Sequence, residues 1–136
     1  MPANRSLPPG PVIPELPYQD VAVAARWLCH AFGFTERLRI GDHRIQLHVG
    51  AGAVVAVELT PDAGPGSSRV LVPVPDVDAH CAQARAAGAR IVREPTTYPF
   101  GERQYSVVDV GGHRWTFTQS VADRDPASWG GELINP

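Results

Sequence analysis

The sequence predicts an α+β domain built from two tandem copies of one strand–helix–three-strand unit, a βαβββ module. A helix-capping aspartate, an apolar helical stripe and a terminating glycine occur at Asp20 and Gly33, and again 56 residues later at Asp76 and Gly88. One apolar strand precedes each helix, and three strand-like segments follow it. Because one copy cannot bury both faces of its sheet alone, we expect the two copies to pack together.

The first module, residues 12–60, begins with a strand over 12–18, which two prolines restrict to an edge or a bulge. Asp20 is a suitable N-cap for the helix that follows, and Gly33 suits a left-handed C-cap. Glycine-containing turns then separate three predicted strands, over residues 35–40, 43–49 and 53–59.

The second module, residues 69–119, follows a linker over 61–68 that is rich in proline, glycine and serine. A strand over 69–74 leads into the helix between Asp76 and Gly88. Three more strands are predicted over residues 89–93, 103–109 and 114–119. The domain thus spans residues 12–120, between a proline-rich, flexible N-terminal arm (1–11) and a C-terminal tail with little pattern (121–136).

Composition excludes several classes of function. The 136 residues carry a net charge of −2, which excludes a general basic field for nucleic acid. All 12 basic residues are arginine, so no lysine can form a Schiff base. No apolar run reaches the roughly 18–20 residues of a membrane helix, and the N-terminus has no signal-peptide pattern. With only two cysteines, we expect a cytoplasmic protein without nucleic-acid or membrane partners.

Residue alternation predicts one polar face of the sheet. Strands buried on one side alternate in polarity, and their apolar residues must meet the helices. The opposite face would suit a small ligand with polar groups, or it is an ordinary solvated face. The residues predicted there are Ile13, Glu15, Arg44, Gln46, His48, Ala56, Glu58, Arg69, Leu71, Arg114, Thr116 and Thr118.

Three stretches, residues 18–34, 84–89 and 98–117, resemble the vicinal oxygen chelate superfamily, which includes glyoxalase I, bleomycin-resistance proteins and extradiol dioxygenases. The third stretch is the most specific and is similar to the glyoxalase-like branch; it contains Tyr98, Gly101, Arg103 and Tyr105, and then Asp109, Gly112, His113 and Trp115. The resemblance covers about residues 12–120. It implies two βαβββ modules forming a curved mixed sheet around a cleft, often in a homodimer.

In metal-using members of this superfamily, the first and last strands of each module carry the ligands, which implies Ile13, Glu58, Arg69 and Thr116 in this chain. Only Glu58 fits, because Ile13 has no donor atom and Arg69 repels a cation. A stable divalent site needs about three or four donors. We therefore expect no metal and no cofactor, and an ion pair between Glu58 and Arg69 is the structural alternative.

The resemblance implies a metal-independent protein that binds a small organic molecule in the sheet cleft, as the bleomycin-resistance-like branch does. Glu58 is the candidate cavity carboxylate or catalytic base. Candidates for stacking on the ligand or anchoring its polar groups are Glu15, Gln46, His48, Arg69, Phe100, Arg103, Tyr105 and Thr116.

Two enzymatic alternatives stay open. One is a metal-dependent lyase, isomerase or dioxygenase that polarises vicinal oxygens of its substrate on zinc, nickel, iron or manganese. Its metal would need a displaced ligand set of Glu15, His48 and Glu58. The other is a metal-free enzyme with Glu58 or His48 as base. The expected partners are a small-molecule ligand and a second copy of the chain in a homodimer.

Overall fold

The computed structural model describes residues 5–6, 8–10, 12–61, 65–66 and 68–134. Other positions of the predicted arm, linker and tail (1–4, 7, 11, 62–64, 67 and 135–136) lie outside the described residues. In chain order the elements are β1 (Glu15–Tyr18), α1 (Val21–Phe32), β2 (Thr35–Ile40), β3 (Arg44–Val49), β4 (Gly52–Glu58), β5 (Arg69–Pro73), α2 (Val77–Ala86), β6 (Arg90–Thr97), β7 (Glu102–Val108), β8 (Arg114–Ser120) and a 3₁₀ turn (Pro126–Trp129).

The eight strands form two four-stranded mixed sheets, with the orders β1-β4-β3-β2 and β5-β8-β7-β6. In each sheet the first strand of the module pairs parallel with the last, and the other pairs are antiparallel. The strands are thus divided between two hydrogen-bonded sheets rather than joined in one. The predicted α+β fold of two tandem βαβββ modules is confirmed.

Both helices begin at the predicted caps. The Asp20 side chain accepts a hydrogen bond from the backbone N–H of Val23 at 3.1 Å, and Asp76 does the same for Ala79 at 3.1 Å. Gly33 ends α1 in the left-handed region, with φ 77°. Among the described residues no helix is long and apolar enough to cross a membrane.

The first strand is shorter than predicted, because β1 starts at Glu15 rather than at residue 12. Pro14 has no N–H to give to the ladder, and it contributes only its carbonyl oxygen, which accepts from the Val55 N–H at 2.9 Å.

The two modules share one hydrophobic core, because the apolar stripes of both helices meet the sheets and each other. Phe32 from α1 contacts two fully buried rings of the second module edge-to-face, Trp115 at 5.5 Å and Phe117 at 4.9 Å between centroids. Edge-to-face aromatic pairs add to the free energy of burial.

A buried carboxylate, that of Asp109, also joins the modules. It accepts hydrogen bonds from the Tyr18 hydroxyl at 2.5 Å and from the Trp115 indole N–H at 2.9 Å. The backbone N–H groups of Gly111 and His113 each donate to it at 2.9 Å. Burial, and then the charge of Asp109, raise the pKa of Tyr18, so its hydroxyl stays a donor.

His80 ties α2 to α1 and to β7. Its Nε2 lies 2.9 Å from the Phe32 carbonyl oxygen, and its Nδ1 lies 2.6 Å from the Tyr105 hydroxyl. Because a carbonyl only accepts, Nε2 carries the proton and Nδ1 accepts from Tyr105. Burial lowers the pKa of His80 and raises that of Tyr105, so both stay neutral near pH 7.

Candidate functional site

The sheet faces opposite the helices are where the sequence predicts ligand contacts, and we call them the helix-free faces. In β8, Trp115 and Phe117 are fully buried on the helix side, so the alternate residues Thr116 and Thr118 lie on the helix-free face. The strand register arranges the residues of this face in four rows, each read from β5 through β8 and β7 to β6. The first row is Arg69, Arg114, Val108 and Arg90, and the second is Leu71, Thr116, Ser106 and Arg93. The third row is Pro73, Thr118, Gln104 and Thr96, and the last contains Ser120 of β8 and Glu102 of β7.

The middle rows of the second helix-free face form a ladder of polar side chains. Ser106 and Thr116 share a hydrogen bond of 3.0 Å between their hydroxyls. The Thr118 hydroxyl accepts from the Gln104 amide at 3.2 Å and donates to the Glu102 carboxylate at 2.6 Å. Thr116 therefore lies on the face predicted for it. Glu102 was missed, although the alternation of polar residues in β7 marks the same face.

At the Glu102 end of this face lies a cavity of about 820 Å³. Phe100 and Trp129 line it together with Glu102, and their ring centroids are 6.1 Å apart, edge-to-face. Tyr98 stacks on Phe100 at 5.4 Å, and its hydroxyl accepts from Arg93 at 2.9 Å. The rings of Phe100 and Trp129 are 37% and 41% exposed, so a ligand can reach both.

The C-terminal tail forms one wall of this cavity and has more structure than predicted. The carbonyl oxygen of Gly101 accepts from the N–H groups of Val121 at 2.8 Å and Ala122 at 3.2 Å. Gly101 has φ 87°, and an added Cβ would collide with the Ala122 carbonyl. Asp125 caps the 3₁₀ turn that carries Trp129. The sequence signal for this turn was the pair Asp125-Pro126, an N-cap followed by a proline at the first position of the turn.

The first helix-free face carries three of the predicted site residues, and two of them, Glu15 and Gln46, are bonded within the chain. Gln46 and His48 alternate on β3 with Leu47, which is fully buried on the helix side. The carboxylate of Glu15 pairs with Arg44 on the same face.

The N-terminal arm covers Gln46. The Gln46 amide donates to the Ser6 carbonyl at 2.7 Å, and Arg37 donates to the Gln46 side-chain oxygen and, at 3.1 Å, to the Arg5 carbonyl. A β-bulge between Glu36 and Leu38 sets Arg37 as the extra residue beside Gln46. Gln46 is 2% exposed as a result. Through these bonds the described residues Arg5 and Ser6 contact β2 and β3.

The predicted position of Glu58 is wrong. Ala56 lies opposite Ile45, which is fully buried on the helix side, so Ala56 and Glu58 share that side and two valines occupy the helix-free face of β4. Residues 53–57 are all apolar and carry no alternation that would show this. Glu58 is exposed, and no ion pair among the described residues joins it to Arg69.

Two further expected ligand contacts, Tyr105 and Arg103, lie on the helix side of β7. Tyr105 is fully buried and bonds to His80, so it cannot stack on a ligand in this arrangement. Arg103 makes two hydrogen bonds to Asp78 of α2, at 2.9 and 3.0 Å. These bonds lower the pKa of Asp78 and raise that of Arg103.

The donor set does not fit a divalent metal. In the part of the chain that the structure describes, no three His, Cys, Asp or Glu side chains form a group that could hold one. The displaced set of Glu15, His48 and Glu58 is divided between the two sides of the first sheet. Of the four positions that the resemblance implies, Ile13 precedes β1, and Arg69 and Thr116 supply a cation and a hydroxyl.

Comparison with known proteins identifies the family. The sequence profile described as Glyoxalase/Bleomycin resistance protein/Dioxygenase superfamily matches residues 12–117. Curated proteins gave no match. Among solved structures, TioX from Micromonospora sp. ML1 is 38% identical, with 80% of this chain and 97% of that chain covered and a TM-score of 0.69.

Two proteins from Streptomyces sp. CB03234 are each 27% identical to this chain. One is TnmS3, an antibiotic binding protein, with 79% of this chain and 93% of that chain covered and a TM-score of 0.68. The other is a glyoxalase/bleomycin resistance protein, with 79% and 97% covered and a TM-score of 0.67. With its two βαβββ modules and these matches, the chain belongs to the glyoxalase/bleomycin resistance protein/dioxygenase superfamily.

Proposed function

We propose that the protein binds a small organic molecule on the helix-free face of the second sheet. The observation that carries this proposal is the cavity of about 820 Å³, in which the accessible rings of Phe100 and Trp129 and the carboxylate of Glu102 line the same space. The tail side of the cavity adds further charged residues, Asp123, Arg124 and Asp125. Ligand sites typically have volumes of about 300–1,000 Å³ and combine apolar walls with a few polar groups.

The aromatic part of the ligand stacks on Phe100, which Tyr98 supports from one side, and Trp129 contacts its edge. The carboxylate of Glu102 accepts one hydroxyl hydrogen bond on each oxygen, from Thr118 and Ser120. Each oxygen keeps a second acceptor site, so Glu102 can accept from a hydroxyl or amine of the ligand.

The family relationship supports a ligand of antibiotic type. TnmS3, which is 27% identical to this chain, is an antibiotic binding protein. We propose that this chain likewise binds an antibiotic-like organic compound with a planar ring system.

We also propose that binding needs no metal. Of the four positions that the resemblance implies, only Glu58 carries a carboxylate, and it lies on the helix side of β4. Glu15, on the helix-free face of β1, already pairs with Arg44. Metal analysis of protein purified without chelator tests this point. We expect substoichiometric metal, and about one equivalent of zinc, nickel, iron or manganese per chain would favour the metal-dependent enzyme instead.

The remaining elements of the proposal are a homodimer and a cytoplasmic location, as the sequence analysis predicts. Light scattering coupled to size-exclusion chromatography measures the mass in solution, and a fluorescent fusion in the source cell reports the compartment. A mass of one chain at micromolar concentration would contradict the dimer.

Isothermal titration calorimetry with a panel of polycyclic aromatic antibiotics tests the ligand class. We expect at least one member to bind, and we expect Phe100→Ala to weaken its binding at least about tenfold, through lost stacking area. Val110→Ala is the matched control, because Val110 is exposed in the turn between β7 and β8 and does not line this cavity. Equal affinities of the two variants would place the site elsewhere.

A further inference from the structure

The charges on the second helix-free face are separated along the strands. Arg69, Arg114 and Arg90 stand in its first row, and the carboxylate of Glu102 lies in the last row. All three arginines are exposed, and each begins its strand. The first and last rows are six positions apart along β8, which corresponds to a distance of roughly 20 Å at 3.4 Å per residue.

These three arginines have no acidic partner among the described residues. The arginines that do form ion pairs lie elsewhere: Arg39 and Arg44 in the first module, and Arg85 and Arg103 on the helix side of the second. The chain therefore neutralises arginines in several places but leaves the first row of this face with three uncompensated charges.

Arg69 and Arg114 are direct neighbours on parallel strands. Like charges in that position repel each other, and an anion between them removes the repulsion. Both line a second cavity, of about 380 Å³, whose wall from β1 carries Glu15. Because the carboxylate of Glu15 forms an ion pair with Arg44, it does not neutralise the charges of Arg69 and Arg114.

We propose that Arg69 and Arg114 form a subsite for an anionic group of the ligand, a carboxylate or a phosphate. Arg90 lies two strands from Arg114 in the same row and adds positive charge at the edge of the subsite. Guanidinium groups suit both, because their parallel N–H donors match two oxygens of the anion. The subsite extends the proposed function: a ligand of roughly 20 Å places its ring system at Phe100 and Trp129 and its anionic end at the arginine row. A specific ligand would then need both the ring system and the anionic group.

Arginine side-chain NMR tests the subsite on the intact chain. Inorganic phosphate, acetate and benzoate are titrated separately at constant ionic strength, and the Nε–Hε signals are followed. We expect the signals of Arg69, Arg114 and Arg90 to shift saturably, and we expect Arg114→Gln to weaken that binding about tenfold. Arg26→Gln, on the exposed side of α1, is the charge-matched control and leaves the affinity within about twofold.

Phosphate and carboxylate are distinguished by which titration saturates at the lower concentration. Shifts of all arginines in parallel without saturation, or equal affinities of the Arg114→Gln and Arg26→Gln variants, overturn the subsite.

The subsite and the proposed function fail separately. An aromatic ligand that needs Phe100 but is indifferent to Arg114→Gln overturns the subsite and leaves the proposed function standing. Saturable phosphate binding that Arg114→Gln abolishes and Phe100→Ala leaves unchanged supports the subsite, even where no aromatic compound in the panel binds.

Discussion

The two modules share one topology, but their helix-free faces differ in how their polar groups are satisfied. On the first face, Gln46 binds the backbone of the chain's own arm and Glu15 binds Arg44. On the second face, a ladder of hydroxyl and amide side chains lies between a cavity with accessible aromatic rings and arginines that lack acidic partners among the described residues. The two copies of the repeated unit thus share their fold but differ in which of their polar and aromatic groups are available for contacts from outside the chain.

Removal of the Asp109 carboxylate should have the largest effect, because this group accepts hydrogen bonds from both modules. We expect Asp109→Ala to lower the free energy of unfolding by about 3–5 kcal/mol, since three buried donors and one partly buried donor lose their acceptor. Tyr18→Phe removes one of those donors and should cost less, about 1.5–3 kcal/mol, because the lost hydrogen bond is to a charged group. Urea denaturation measures both, and a loss below about 1 kcal/mol for Asp109→Ala would contradict the role of this junction.

Substitution of Gly101 should release the C-terminal tail from the cavity that it lines. We expect Gly101→Ala to cost about 2–3 kcal/mol, from left-handed strain plus the collision with the Ala122 carbonyl. Gly88→Ala is the matched control, because Gly88 has φ +85° and no atom within 4 Å of an added Cβ, so only the strain of about 1 kcal/mol applies.

Trypsin provides the direct readout for the tail. Cleavage after Arg124 should become faster in the Gly101→Ala variant than in the Gly88→Ala variant. Equal cleavage rates would show that Gly101 does not hold the tail in place.

The arm on the first face should be released by Gln46→Leu. The change removes the bond to the Ser6 carbonyl and leaves Arg37 with the Arg5 carbonyl but without the Gln46 side-chain oxygen, at a cost of about 1–2 kcal/mol. Hydrogen exchange of peptides from residues 5–10 should accelerate in this variant. The same substitution at Gln104, which lies on the corresponding strand of the second module, should leave exchange in the arm unchanged. Acceleration in both variants would mean that the arm responds to general destabilisation.

Acidification should have the smallest effect, through His80. Burial lowers its pKa in the folded state below the ordinary 6.5, so the unfolded chain takes up the proton first. The stability from neutral His80 is therefore complete above about pH 6.5 and is lost as the pH falls below that value. His80→Leu should flatten the dependence of Tm on pH in this range, and the exposed control His43→Gln should not. Identical slopes would show that another group titrates.

Local signals in the sequence were enough to predict the fold. The capping aspartates and Gly33 located the helices, and the alternation in β8 placed Thr116 and Thr118 correctly. These features depend on neighbouring residues along the chain, so no knowledge of tertiary contacts was needed.

The site could be predicted only in part, because its assignment depends on partners distant in the chain. The apolar run before Glu58 has no alternation, so the side of β4 became clear only from its pairing with β3. Tyr105 resembles a stacking residue until His80 and Phe117 are seen to enclose it. Docking of the arm on Gln46 joins residues 40 positions apart and leaves no local pattern.

Because the three tryptophans differ in burial, intrinsic tryptophan fluorescence can report on the cavity. Trp115 is fully buried and Trp27 is partly buried, with its N–H bonded to the Ala87 carbonyl, whereas Trp129 lies 41% exposed at the cavity. A dissolved quencher such as iodide therefore reaches Trp129 first. Emission at the red edge of the spectrum comes mainly from this most exposed indole, so entry of a compound into the cavity can be tested without any attached dye.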